Sequence, residues 1–184
     1  KNQEQTRALH ILKNKYLQLF LISNILIMLD QVTKFWVTLH IPMHYSISIV
    51  EGFFNLTHIR NPGVAFGLFA RHESEYKVLF FVVISTIAII AILSIFHQSP
   101  ENKRAVRVGL ILIFSGAVGN LIDRILYKEV IDFIDFFYKG SHWPAFNVAD
   151  ACITIGVSFM IYDLFFGYPK NPGVSSPPNE PVQD

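Results

Sequence analysis

Four stretches of this chain stay apolar long enough to cross a bilayer, and they alternate with segments of different character. The cleanest, Val78 to Phe96, contains only apolar and small residues apart from scattered hydroxyls, and it carries no charge. At about 1.5 Å per residue it covers roughly 30 Å of hydrocarbon. A first stretch begins near Tyr16, meets Asp30 and Lys34, and continues as Phe35-Trp36-Val37, so an acid lies inside the expected span. A third starts near Val106 to Val108, and its small residues Gly109, Ser115, Gly116 and Gly119 permit close helix contact. A fourth runs from about Val148 to Phe166, with Asp150 at one end and Asp163 near the other. The pattern predicts spans at about residues 16–38, 77–97, 106–124 and 147–167.

Between the first two spans, Ser46 to Arg60 alternates polar and apolar residues and is rich in β-branched and aromatic types. Short strands and a small sheet against the membrane are expected there, within an external segment of about 40–70. Asn61-Pro62-Gly63 then reads as a turn. Residues 169–184, rich in Pro, Gly and Ser, are expected to form a disordered cytoplasmic tail behind a single membrane domain of residues 1–168. Basic residues gather before the first span (Arg7, Lys13, Lys15) and between the second and third (Lys103, Arg104, Arg107). The positive-inside rule puts both groups, and both termini, in the cytoplasm. By alternation, the segments from about His40 to Tyr76 and from about Ile125 to Phe146 lie on the opposite side with Asp132 and the start of span four. The charge-bearing aromatic continuation of the first stretch replaces the small-residue site of a cleavable signal peptide.

Composition narrows the function classes. A chain 52% hydrophobic and only 16% charged has too much apolar matter for an ordinary soluble domain, which makes it an integral membrane protein. A net charge of +1 with scattered basic residues gives no footprint for nucleic acid. The seven histidines form no His-Glu-x-x-His arrangement, so a zinc peptidase is disfavoured, and no Gly-x-Ser-x-Gly motif suggests serine chemistry. Cys152 stands alone in apolar sequence and reads as a packing residue.

Polar chemistry concentrates between Asn120 and Asp150, where Asn120, Asp123, Arg124, Asp132, Asp135, Asn147 and Asp150 stand at the margins of apolar segments. Two carboxylates with polar supports are the minimum apparatus for metal-free hydrolysis of a peptide bond. The residues alone leave alternatives open. Asn147-Val-Ala-Asp150 also fits a helix cap followed by an acid at its third position. Asp132 and Asp135 would share one face if their stretch were helical. Asp30 and Lys34, spaced i and i+4, fit an intrahelical ion pair, although an acid within a span is also a candidate functional site. A proton-coupled transporter competes with the hydrolase reading, but it calls for acids spread through the membrane depth. A scaffold using the β-rich segment as a docking surface is a third class.

Five blocks then align in order: Asp30-Gln-Val-Thr-Lys34, Arg60-Asn-Pro-Gly-Val-Ala-Phe-Gly67, Gly119-Asn-Leu-Ile-Asp-Arg124, Val130-Ile-Asp-Phe133 and Phe146-Asn-Val-Ala-Asp150. Together they resemble the signature blocks of bacterial lipoprotein signal peptidase, or signal peptidase II, from about Lys15 to Tyr168. Lys128 stands where the family pattern suggests a turn glycine. The resemblance implies a mainly α membrane protein, with four transmembrane helices, a small external β-cradle and a short external helix. It further implies a cofactor-free, metal-independent aspartic endopeptidase of the bacterial cytoplasmic (inner) membrane, with its site near the external face. Asp132 and Asp150 would form the catalytic pair, which selects Asp132 over Asp135. Asn61 and Arg124 would position substrate, and Asp30, Asn120, Asp123 and Asn147 would support the site. The implied substrates are diacylglyceryl-modified prolipoproteins, cut on the N-terminal side of the lipidated cysteine. Membrane lipids and globomycin-type inhibitors are the other implied partners.

Overall fold

The computed structural model of the protein describes residues 14–63, 75–100 and 102–166. Four helices long and apolar enough to span a membrane make up most of it: α1 (Lys15–His40), α2 (Glu75–Gln98), α3 (Arg104–Tyr127) and α4 (Val148–Phe166). Each contains the stretch expected from the hydrophobic pattern, to within a few residues at its ends. The tail of residues 169–184 and the last part of the Arg60–Gly67 block lie outside the described residues, as do residues 71–74. Among the described residues no further helix accompanies the four.

The outer faces of the helices are apolar, as lipid requires, and polar and small residues join the buried contacts between them. On α1 the buried face is Ser23, Asp30, Lys34 and Val37, whereas Phe20, Ile25, Met28, Leu29 and Val32 face outward. Helix α3 is the central element and touches each of the other three. Its contact with α4 relies on missing side chains: a Cβ on Gly156 would lie 2.6 Å from the carbonyl oxygen of Gly109, and one on Gly109 would lie 2.8 Å from the carbonyl oxygen of Gly156. Gly119 makes similar room on the α1 side, where an added Cβ would come within 2.7 Å of an Asp30 carboxylate oxygen.

One end of the bundle carries an antiparallel sheet in the order β1 (Ser46–Val50), β2 (Phe54–Asn61), β3 (Val130–Tyr138) and β4 (Ser141–His142). The strands expected between Ser46 and Arg60 are β1 and β2. Strand β3 corrects the helical geometry weighed for Asp132 and Asp135. Val-Ile-Asp-Phe-Ile-Asp-Phe-Phe-Tyr is dense in β-branched and aromatic residues, which favour an extended backbone. Three residues apart on a strand, the two acids point to opposite faces. Strands β2 and β3 pair Asn61 with Val130 and Ile59 with Asp132 across an irregularity between Leu56 and Ile59. Val37 and Ile41 at the end of α1 pack with Ile131 and Phe133, seating the sheet on the bundle. Lys128 closes α3 in the left-handed region at φ 65°, and its amide donates to the Arg124 carbonyl at 3.1 Å. The lysine thus adopts the conformation for which a glycine is usually chosen.

The glycine contact makes the first prediction. In Gly156→Val the new Cβ meets backbone atoms of Gly109 and Ile113, so α3 and α4 must separate. Thermal unfolding in detergent should show a loss of about 1–3 kcal/mol. An unchanged melting temperature would show that the two helices do not depend on this close approach.

Candidate active site

The polar residues singled out from the sequence converge where the ends of α1 and α3, the start of α4 and strand β3 meet. Asp132 is 2% exposed on β3, and Asp150 sits in the first turn of α4. Asn147 links them. Its side-chain Nδ2 donates to Asp132 Oδ1 at 2.7 Å, while its backbone amide donates to Asp150 Oδ2 at 3.3 Å. The Asp150 amide donates back to Asn147 Oδ1 at 2.9 Å. The capping arrangement expected at Asn147 and Asp150 is therefore present as a reciprocal box, and it fixes Asp150 beside the other acid. Capping and a functional role are not alternatives here.

Each carboxylate has a second amide donor. Asn61 Nδ2 donates to Asp132 Oδ2 at 3.0 Å, and Asn61 Oδ1 accepts the Gly63 amide at 2.9 Å, which fixes the amide's orientation. The strand register explains the first bond, since Asn61 lies opposite Val130 and diagonal to Asp132. Asn120 Nδ2 donates to Asp150 Oδ1 at 2.7 Å. Its Oδ1 accepts from Lys34 Nζ at 3.1 Å and from Asn147 Nδ2 at 3.3 Å, leaving only the nitrogen to face Asp150. Four of the expected site residues thus act as one hydrogen-bonded unit with the pair: Asn61, Asn120 and Asn147 directly, and Asp123 through its neighbours.

Beneath that unit lies an ionic core of which sequence reading saw only half. The expected Lys34–Asp30 pair forms at 2.8 Å, but Lys34 Nζ also contacts Asp123 Oδ2 at 2.8 Å. All three side chains are at most 2% exposed. Gln31 Nε2 joins the two acids, at 2.9 Å from Asp123 Oδ1 and 3.2 Å from Asp30 Oδ2. Asp123 Oδ2 accepts the Ile131 amide at 3.1 Å, pinning β3 one residue before Asp132. Asp30 Oδ1 accepts the Ala149 amide at 2.8 Å, pinning α4 one residue before Asp150. Gln31 and Lys34 were missed as site residues. Their signal was the apolar face they interrupt: an ion pair alone would satisfy Asp30 anywhere on α1, without a glutamine on the same side.

Arg124 donates from Nη1 to the Asn120 carbonyl at 3.2 Å, and its guanidinium lies 5.5 Å from the centre of the Phe81 ring. Its charge acts on Asp150, Asp123 and Asp132. Asp135 belongs elsewhere: it accepts from Asn55 Nδ2 at 3.0 Å and pairs with His142 Nδ1 at 2.8 Å on the other side of the sheet. Cys152 is buried and unpaired by any disulfide. Among the described residues, no three His, Cys, Asp or Glu side chains converge as ligands for one metal ion.

Burial raises the Asp132 pKa to about 6, and the nearby Asp150 charge adds to that effect, against the opposing bonds from Asn61 and Asn147 and the charge of Lys34. Chemically, the site offers a carboxyl that keeps a proton to unusually high pH, beside a second carboxylate and between oriented amide donors.

The comparisons with known proteins agree with the five sequence blocks. A family model described as signal peptidase II matches residues 22–166. The lipoprotein signal peptidase of Desulforapulum autotrophicum is 48% identical over 149 residues, covering 81% of this chain and 92% of that protein. That of Syntrophus aciditrophicus is 44% identical over 151 residues, covering 82% and 94% respectively. A solved bacterial membrane enzyme, determined by the in meso method at 2.3 Å resolution, superposes with a TM-score of 0.73 at 34% identity, over 86% of this chain and 93% of its own. This chain belongs to the signal peptidase II family.

Proposed function

We propose that the protein is an aspartic endopeptidase that removes signal peptides from diacylglyceryl-modified prolipoproteins, cutting on the N-terminal side of the lipidated cysteine, with Asp132 and Asp150 as its catalytic pair. The observation that carries the pairing is that Asn147 donates to both carboxylates. Two carboxylates held together resist simultaneous ionisation, so the pair retains one proton. The ionised member takes a proton from a water molecule as that water attacks the scissile carbonyl carbon. The protonated member gives its proton to the carbonyl oxygen, yielding a neutral tetrahedral diol. Collapse of the diol breaks the C–N bond, with a proton passing to the departing amine and the pair returning to its single-proton state. Asn61 and Arg124 stand at the rim as donors for the substrate backbone, and cyclic peptides of the globomycin type would compete for the same positions.

The membrane supplies the substrate. An apolar groove lined by Val78, Leu79 and Val82 of α2, with Lys128 at the end of α3, opens at the same end of the bundle as the pair. It suits acyl chains arriving sideways from the bilayer. We place the protein in the bacterial cytoplasmic membrane with both termini cytoplasmic. Supporting this, Lys15, Lys103, Arg104 and Arg107 mark one end of the bundle by chain position and Asp132 and Asp150 mark the other.

Three predictions test this reading. Asp132→Asn and Asp150→Asn should each reduce cleavage of a lipidated prolipoprotein by at least about a thousandfold, with membrane insertion and the melting temperature retained. Substantial turnover by either variant would remove that acid from the pair. The second concerns pH. Because activity needs the pair's remaining proton, kcat/KM should decline as pH rises past about 6. Asn61→Ala removes a donor that favours the Asp132 carboxylate, so the alkaline limb should move to higher pH; movement to lower pH would contradict the assigned hydrogen bond. Third, Lys34→Met leaves Asp30 and Asp123 buried without their cation, with an expected loss of about 3–5 kcal/mol in detergent unfolding. A change below 1 kcal/mol (roughly the worth of an exposed pair) would show the core to be hydrated.

A further inference from the structure

The end of the bundle opposite the catalytic pair presents an electrostatic arrangement that the peptidase reaction does not use. Helix α3 begins there with no acidic residue in its first turn, and its N-cap residue Lys103 makes no side-chain capping bond. The positive end of the helix dipole is therefore surrounded by Lys103, Arg104 and Arg107, where anions would be favoured. Two of the nearby cations have partners. Lys103 pairs with Asp163 at 2.8 Å. Lys15 donates to the carbonyls of Phe96, His97 and Ser99 at 3.4, 2.7 and 3.1 Å, closing the end of α2.

Arg107 is different. It is only 8% exposed, its Nε is buried with no hydrogen-bond partner, and no ion pair or hydrogen bond of its guanidinium occurs among the described residues. Helical side chains lean toward the N-terminus, so the guanidinium is aimed back at the uncapped first turn. Apolar residues gather at this end: Phe96, Val106 and Leu110 form a buried cluster, and Ile95 at the end of α2 and Val108 on α3 are exposed. A guanidinium buried next to a lipid-facing apolar surface sits at the depth where phosphates meet acyl chains. Guanidinium forks and free helix amides both recognise phosphate oxygens.

We propose that this end of α3 binds the phosphate of one anionic phospholipid, with Arg107 as the principal donor, the Ala105 and Val106 amides of the first turn and the Arg104 side chain assisting, and the acyl chains lying against Ile95 and Val108. The site is about 20 Å along α3 from Asn120 and is independent of the catalytic assignment.

The test is thermal unfolding of the full chain, purified in an uncharged detergent, with added phosphatidylglycerol, phosphatidylcholine or inorganic phosphate. Phosphatidylglycerol should raise the melting temperature by about 3 °C or more over the same mole ratio of phosphatidylcholine, and phosphate alone should not. Arg107→Gln should erase the difference between the two lipids, and Arg104→Gln should keep most of it. If Arg107→Gln does not fold, Arg107→Lys, which keeps the charge without the fork, should at least halve the difference. Equal shifts from the two lipids, or a full difference in either Arg107 variant, would overturn the site. A shift reproduced by inorganic phosphate would overturn the lipid as its ligand. Glu101→Gln should leave the lipid-free melting temperature unchanged; a drop as large as that of Arg107→Gln would place the partner within the chain and overturn the proposal.

Discussion

The contact of Lys34 with both Asp30 and Asp123 is the interaction on which the site depends. Each acid uses its remaining capacity to hold a backbone amide, at Ala149 for α4 and at Ile131 for β3. One ammonium thereby fixes two elements that are distant in sequence, at points one residue away from Asp150 and Asp132. Removing Lys34 would leave two like charges together in a dry site, where the penalty for an unpaired ion is largest. The cluster keeps one negative charge in excess, partly offset by the Gln31 amide hydrogens. Stability at this end of the bundle and geometry at the pair are consequences of the same contacts.

The close helix approach belongs to the same design. Asp30 reaches Lys34 and Ala149 because Gly119 has no side chain in its path, and α4 lies close enough to α3 because Gly109 and Gly156 pass at backbone distance. Without a hydrophobic drive between helices in lipid, such contacts depend on packing and on polar bonds. Small residues and buried charges are therefore complementary here: the former bring backbones together, and the latter reward that proximity with bonds of fixed direction.

The spans were legible because lipid demands continuous apolar sequence, and no alternative fold tolerates Val78 to Phe96 in water. The Asn147–Asp150 cap was legible because it is local. What the sequence did not disclose is what depends on contacts distant along the chain. Nothing near Lys34 announces Asp123, and nothing near Asp132 states whether its segment is strand or helix until it pairs with β2. The strand settles a real ambiguity, since it separates Asp132 from Asp135, which a helix would have kept together. The family resemblance points to Asp132, and the strand gives that proposal a physical basis: the side of β3 that carries Asp132 faces the amides of Asn61 and Asn147.

The two ends of α3 pose one problem, charge at a helix terminus in an apolar surround, with different resources. At its C-terminal end, Asp123 would be unfavourable beside the negative end of the dipole, and Lys34 from another helix offsets it. Arg124, in the last turn, is favourably placed. At its N-terminal end the charges are reversed, with cations at the positive end of the dipole, and among the described residues a carboxylate pairs only with Lys103. Arg107 remains with its Nε buried and without a hydrogen-bond partner. A protein that satisfies each buried acid at one end has no evident reason to leave a guanidinium unsatisfied at the other, unless the missing acceptor comes from outside the chain. In a membrane the abundant acceptor at that depth is phosphate, so the polar balance of α3 is completed by its solvent as much as by its neighbours.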